Sequence, residues 1–170
     1  MKINSPASLA FCAALLAAGA AASPSSDAFT LQGTWTMTAA YEIHPDGTHT
    51  TNYGEHPNGL LLVDADGRYS LQIFRPGRAK FASGDKTRGS AEEYREALLS
   101  SSTHYGHVSV DTAAHRLVFR IEASSFPNWE NTQQVREYTF ENGVLTYSVP
   151  ASASGNGTVA YSVWKRAGTD

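Results

Sequence analysis

The sequence predicts an all-β chain closed into a barrel or stacked as a sandwich, with one short helix, and three observations carry that prediction. From Thr34 to Ile43 the residues alternate in character with period two, as a strand with two unlike faces does. Turn chemistry recurs at short intervals, in His44-Pro-Asp-Gly47, Asp64-Ala-Asp-Gly67 and Glu141-Asn-Gly143, where Asp, Asn and Gly supply local hydrogen bonds and positive φ. A single stretch, Ser90-Ala-Glu-Glu93, carries a helix-start signature.

The chain has 170 residues, enough for one domain whose core needs no covalent staples. Lys2 precedes the apolar run Leu9 to Gly19, and Ala20-Ala-Ala-Ser23 offers a small-x-small cleavage site. This is the layout of a secretory signal peptide over residues 1–22. The apolar run is shorter than the roughly 20 residues a spanning helix requires. Bulky Phe11 before Cys12 argues against a lipid anchor, so no membrane anchor is expected. Cleavage removes the only cysteine, leaving no disulfide or thiol chemistry. Residues 23–28 read as a linker, residues 29–167 as the barrel domain, and the protein as secreted or periplasmic. The net charge is −3, and without a basic face nucleic acid is not an expected partner.

The first strand places Trp35, Met37, Ala39, Tyr41 and Ile43 on one face and Thr34, Thr36, Thr38, Ala40 and Glu42 on the other. Thr48 to Tyr53 reads as its return partner. Leu60 to Val63 and Tyr69 to Phe74 form a hairpin about the Asp-Gly turn, and the second arm runs on into Arg75, Arg78 and Lys80. Ser90 and Glu93 have the spacing of a capping box, predicting a helix from about Ala91 to Ser101. Strands follow at His104 to Val110, Arg116 to Ala123, Gln134 to Phe140, Val144 to Val149 and Thr158 to Arg166. The total is about eight to nine short antiparallel strands.

In a barrel of that size one parity lines an interior just wide enough for a small ligand, so inward polar residues are the informative ones. Arg75 shares the parity of Tyr69, Leu71 and Ile73. It either reaches the inner rim and needs an anion or a carboxylate, or caps the barrel end. Arg78 and Lys80, past Pro76, fall in a loop at the rim. On Arg116 to Ser124 either Leu117, Phe119 and Ile121 pack inward, leaving Arg120 and Glu122 as an exposed pair, or Glu122 faces the site. Arg136 shares a face with Tyr138 and Phe140, which favours its pointing inward. Phe126 and Trp129 lie in a loop long enough to cover a barrel mouth or to plug it. His104 and Tyr105 are candidates for proton transfer. The histidines have neither metal-ligand spacing nor acidic company, so no metal site is expected. No G-x-S-x-G, cysteine nucleophile or phosphate loop occurs, and no cofactor is implied.

Taken in order, Gly33-Thr-Trp35, Gly59-Leu-Leu-Leu with its Asp-Gly turn, Arg75-Pro, Lys80-Phe-Ala-Ser-Gly-Asp85, Glu92-Glu-Tyr-Arg95, Tyr105-Gly106, Glu122-Ala-Ser, Phe126-Pro-Asn-Trp129 and Gln134-Val-Arg136 resemble the bacterial and fungal lipocalin-like domain family. The resemblance implies an antiparallel lipocalin-like barrel with a short helix, a fold that usually binds small apolar molecules and sometimes hosts isomerase or cyclase chemistry. The disulfides and the Thr-Asp-Tyr signature of classical secreted lipocalins are missing, so a retinoid or steroid ligand does not carry over. The expected function is binding of a small, mostly apolar and optionally anionic ligand, with Arg75, Tyr105, Glu122, Phe126, Trp129, Arg136 and Tyr138 as candidate contacts. Two alternatives stay open: a cofactor-independent isomerase or cyclase, and a ligand-free structural or envelope-stress barrel.

Overall fold

The computed structural model describes Met1 and residues 29–149 and 157–168. Apart from Met1, the expected signal peptide and linker lie outside the described residues, as does most of the Ser/Gly-rich loop before the last strand. The described chain runs β1 (Gly33–Ile43), β2 (His49–Thr50), β3 (Asn58–Val63), β4 (Arg68–Phe74), α1 (Ala91–Leu99), β5 (Ser101–Asp111), β6 (Arg116–Ser124), β7 (Thr132–Glu141), β8 (Val144–Val149) and β9 (Val159–Arg166). From β3 to β9 each strand pairs antiparallel with the next, β3 also pairs with β1, and β1 pairs with β9, closing an eight-stranded barrel. Closure leaves no barrel strand with an open edge. The expected return strand after His44 is reduced to the two residues of β2, paired with Ile43 and Glu42.

Alternation decides the interior. Tyr69, Leu71 and Ile73 of β4, Leu117, Phe119 and Ile121 of β6, and Leu145 and Tyr147 of β8 are all buried. The first strand departs from its expected faces. A bulge between Met37 and Ala39 shifts the register against β9, so Trp35 and Met37 are buried and then Ala40 instead of Ala39. An extra residue in one strand reverses the parity of everything beyond it. Glu42 and His44 are thereby carried onto the cavity side.

The N-terminal segment seals one end of the barrel. Phe29 lies 4.7 Å from Tyr138 and 4.8 Å from Phe140, ring centre to ring centre, and the Trp35 indole N–H donates to the Leu31 carbonyl at 2.8 Å. Arg166 covers the Trp35 ring at 4.5 Å and donates to the Gln32 and Thr30 carbonyls. At the other end α1 begins with the expected capping box. The Glu93 N–H donates to the Ser90 hydroxyl at 3.2 Å, and the Ser90 N–H to the Glu93 carboxylate at 2.7 Å. The helix ends at Leu99, earlier than the expected Ser101, because Ser101 already belongs to β5. Arg78 ties the rim loop to that end, donating to the Ser100 hydroxyl at 3.0 Å and the Ala97 carbonyl at 3.1 Å.

A second bulge adds Glu122 to β6, so Tyr105 pairs with Ala123 while Gly106 pairs with Ile121. Here the backbones approach so closely that a β-carbon on Gly106 would overlap the Arg120 carbonyl oxygen. Gly106→Ala is therefore expected to cost about 1–3 kcal/mol, read from urea unfolding. An unchanged midpoint would show that the strands can part there without cost.

Candidate functional site

The sealed end and the ring of strands enclose a cavity of about 600 Å³, well inside the range of roughly 300–1,000 Å³ usual for small-molecule sites. Its lining includes Leu71, His104, Arg136 and Tyr147, Ala40, Ile73 and Ser162, and Glu42, His44, Tyr53, Arg75, Leu99, Phe126 and Trp129; Arg75 and Leu99 belong to the end that carries α1, opposite the sealed one.

Arg136 is the unusual group. Alternation along β7 turns Arg136 and Tyr138 inward, and Arg136 is only 2% exposed. Its guanidinium carbon sits 4.2 Å from the Phe119 ring centre and 5.3 Å from that of Tyr147, and cation–π attraction is strongest where water is excluded. Nη2 donates to the Gln134 side-chain oxygen at 2.8 Å and makes a long 3.5 Å contact with His104 Nε2. Nε has no hydrogen-bond partner, and no carboxylate pairs with Arg136 among the described residues. Burial lowers its pKa, while the phenols of Tyr147 and Tyr69 act the other way; a guanidinium nonetheless stays charged in a protein.

Two further buried polar groups adjoin it. The Tyr147 hydroxyl has Ser162, Trp164 and Arg136 beside it yet forms no regular hydrogen bond, and the Trp164 indole nitrogen also has none. Burial raises the Tyr147 phenol's pKa, so it is a neutral hydroxyl that can donate. These groups face one another at contacts outside regular hydrogen-bond geometry, and donors so placed in a dry site cost up to about 1–3 kcal/mol each.

His104, on β5, is 4% exposed. Its Nδ1 lies 2.8 Å from the Tyr69 hydroxyl. Arginine can only donate, so His104 Nε2 is the acceptor facing Arg136 and the ring proton sits on Nδ1, pointing at Tyr69. Burial first, and the Arg136 charge second, push the His104 pKa down to about 3. At neutral pH the ring is therefore uncharged, and serves as a hydrogen-bond acceptor for Arg136 instead of as an acid.

The structure brings together four of the seven residues singled out in the sequence: Arg75, Phe126, Trp129 and Arg136 all line the cavity. Arg75 has protein partners already, the Asn52 carbonyl at 2.9 Å and Glu96 at 3.5 Å. Phe126 and Trp129 meet edge to face, and Trp129 also meets the His104 ring. The other three stand apart. Tyr105 is 47% exposed and is not among the cavity residues. Glu122 pairs with Arg68 at 2.7 Å, both half exposed, because Leu117, Phe119 and Ile121 take the inward parity of β6. Tyr138 is turned inward but packs at the sealed end, against Phe29. Glu42, Tyr53 and Tyr147 line the cavity without having been singled out as contacts. Tyr147 was legible from alternation with Leu145, whereas Glu42 is hidden by the bulge. Among the described residues no group of three or more His, Cys, Asp and Glu side chains could hold a metal ion.

The His104 shift has a measurable consequence. Between pH about 6.5 and 3 the unfolded chain binds a proton on this ring that the folded protein refuses. Stability should therefore fall as pH drops through that window, by up to about 1.4 kcal/mol per pH unit from this group. Urea melts from pH 4 to 7 should show a shallower dependence in His104→Gln than in the wild type. Identical dependence in both would place the titration elsewhere.

Comparison with known proteins agrees with this architecture. The 4'-hydroxy-3'-methoxypropiophenone carrier protein ppsC of Aspergillus oryzae (strain ATCC 42149 / RIB 40) is 26% identical over 105 residues, covering 57% of this chain and 95% of that protein. The model of the lipocalin-like domain family matches residues 32–167, the whole barrel from before β1 to just past β9, and the chain belongs to that family.

Proposed function

We propose that this protein is a carrier for a small aromatic molecule bearing an acidic oxygen, a carboxylate or a phenolate, which sits against Arg136. The observation that carries the reading is a fully buried guanidinium, with an unpaired Nε and no carboxylate partner among the described residues, on the wall of a 600 Å³ cavity. Taking such a charge out of water costs several kcal/mol unless an anion compensates it. The rings of Tyr53, Phe126, Trp129 and Tyr147 line the cavity and suit a flat aromatic body. The relative from A. oryzae is named as the carrier of an aromatic ketone with a phenolic hydroxyl, a molecule of the same class. Export to the periplasm or beyond belongs to the proposal and rests on the sequence pattern of residues 1–22.

Trp129 supplies the readout. Titrating 4-ethylbenzoate or 4'-hydroxy-3'-methoxypropiophenone should quench tryptophan fluorescence, and Arg136→Met should weaken binding about 10- to 100-fold, the loss expected for a hydrogen-bonded charge contact. The same substitution should leave thermal stability unchanged or raise it, since an apolar side chain of similar volume removes a buried charge. Equal affinity in a folded Arg136→Met protein would refute the reading.

A further inference from the structure

Glu42 is the one acid among the described residues that line the cavity. The bulge in β1 brings it there on the parity of buried Ala40, with the side chain half-buried. Its carboxylate has no hydrogen bond or ion pair among the described residues; the Tyr53 phenol is close enough to feel its charge and has Ser102 beside it. His44 is held by Thr158 and Thr50, each at 3.0 Å. Arg75, which also lines the cavity, is shared between the Asn52 carbonyl and Glu96. A carboxylate only accepts, so the complement it lacks is a donor.

The pairing registers place Glu42 on the cavity wall relative to the strand row that holds Tyr147. Tyr147, whose ring lies 5.3 Å from the Arg136 guanidinium carbon, pairs with Ser162, and Ser162 pairs with Ala40. Glu42 lies two residues further along β1, opposite Ala160, a step of about 7 Å toward the mouth. The donors around Arg136 and the Glu42 acceptor therefore occupy different rows of the cavity wall.

We propose that Glu42 is a specificity-determining residue that selects ligands carrying a hydrogen-bond donor, a hydroxyl or an amine, at the end opposite the acid. This rests on the Arg136 reading and adds polarity to it: acid inward, donor outward. The same carboxylate discriminates against a ligand with acids at both ends, because two like charges would meet in a poorly hydrated space.

Matched para-substituted benzoates test this in the full-length protein. Wild type should bind 4-(hydroxymethyl)benzoate and 4-(aminomethyl)benzoate about tenfold or more tighter than isosteric 4-ethylbenzoate, as a hydrogen bond to a charged group implies, and should reject benzene-1,4-dicarboxylate. Glu42→Leu should reverse the order, with 4-ethylbenzoate binding best. Glu42→Gln, which keeps an acceptor without the charge, should retain the preference for the hydroxyl and lose that for the amine. If wild type and Glu42→Leu rank the ligands alike while Arg136→Met weakens all of them, the role of Glu42 is overturned and the Arg136 reading stands. If no benzoate binds the wild type, the Arg136 reading itself fails.

Discussion

A charge that cannot be neutralised, held where water cannot reach it, is the constraint on which the rest of this barrel turns. Arg136 is 2% exposed with no acid beside it among the described residues, and its surroundings compensate only partly. Phe119 and Tyr147 offer ring faces, Gln134 an amide oxygen and His104 a neutral ring nitrogen. Each choice follows from the charge. Burial first, and the neighbouring guanidinium second, keep His104 unprotonated, which leaves its Nε2 able to face Arg136. Tyr147 and Trp164 then sit with polar atoms unpaired next to the same point. In an interior built for stability alone such groups would be paired or replaced by apolar ones.

The fold converts that constraint into a site with a direction. The Phe29, Trp35 and Phe140 cluster and the Arg166 clasp shut one end, so the Arg136 charge lies at the blind end of the cavity. Around the other end the side chains are more exposed. Helix α1 buries none of its residues, and Leu98 and Leu99 are about half exposed while also bordering the cavity. The barrel wall is continuous and hydrogen-bonded all round, so the rim is where a ligand enters. For the carrier role proposed above, a continuous wall with an exposed rim suits release, which then requires motion of loops and not of strands.

Much of this was legible in the sequence because short-range chemistry and period-two alternation act locally. The Asp-Gly hairpin, the capping box at Ser90 and the inward parity of Arg136 all came from residues within a few positions of one another. What was hidden depended on partners distant in sequence. The bulge at Met37 and Ala39 arises from the pairing of β1 with β9, and without it Glu42 belongs to the outer face. Glu122 sits in a bulge against β5 and is taken by Arg68, 54 positions away. Arg75 keeps its expected parity, but its partner Glu96 comes from a helix that the strand pattern says nothing about. Tyr138 faces inward as alternation requires, yet its depth along the barrel is decided by where the N-terminal segment packs.

The central claim, that the ligand completes the charge left open at Arg136, is tested most directly by a crystal structure of the protein with a bound aromatic acid at neutral pH. The account predicts an acid oxygen within hydrogen-bond distance of the Arg136 guanidinium, with the ring between Trp129 and Tyr147. A ligand seated in the cavity with its acid group directed to the mouth, and Arg136 still without an anionic partner, would contradict it.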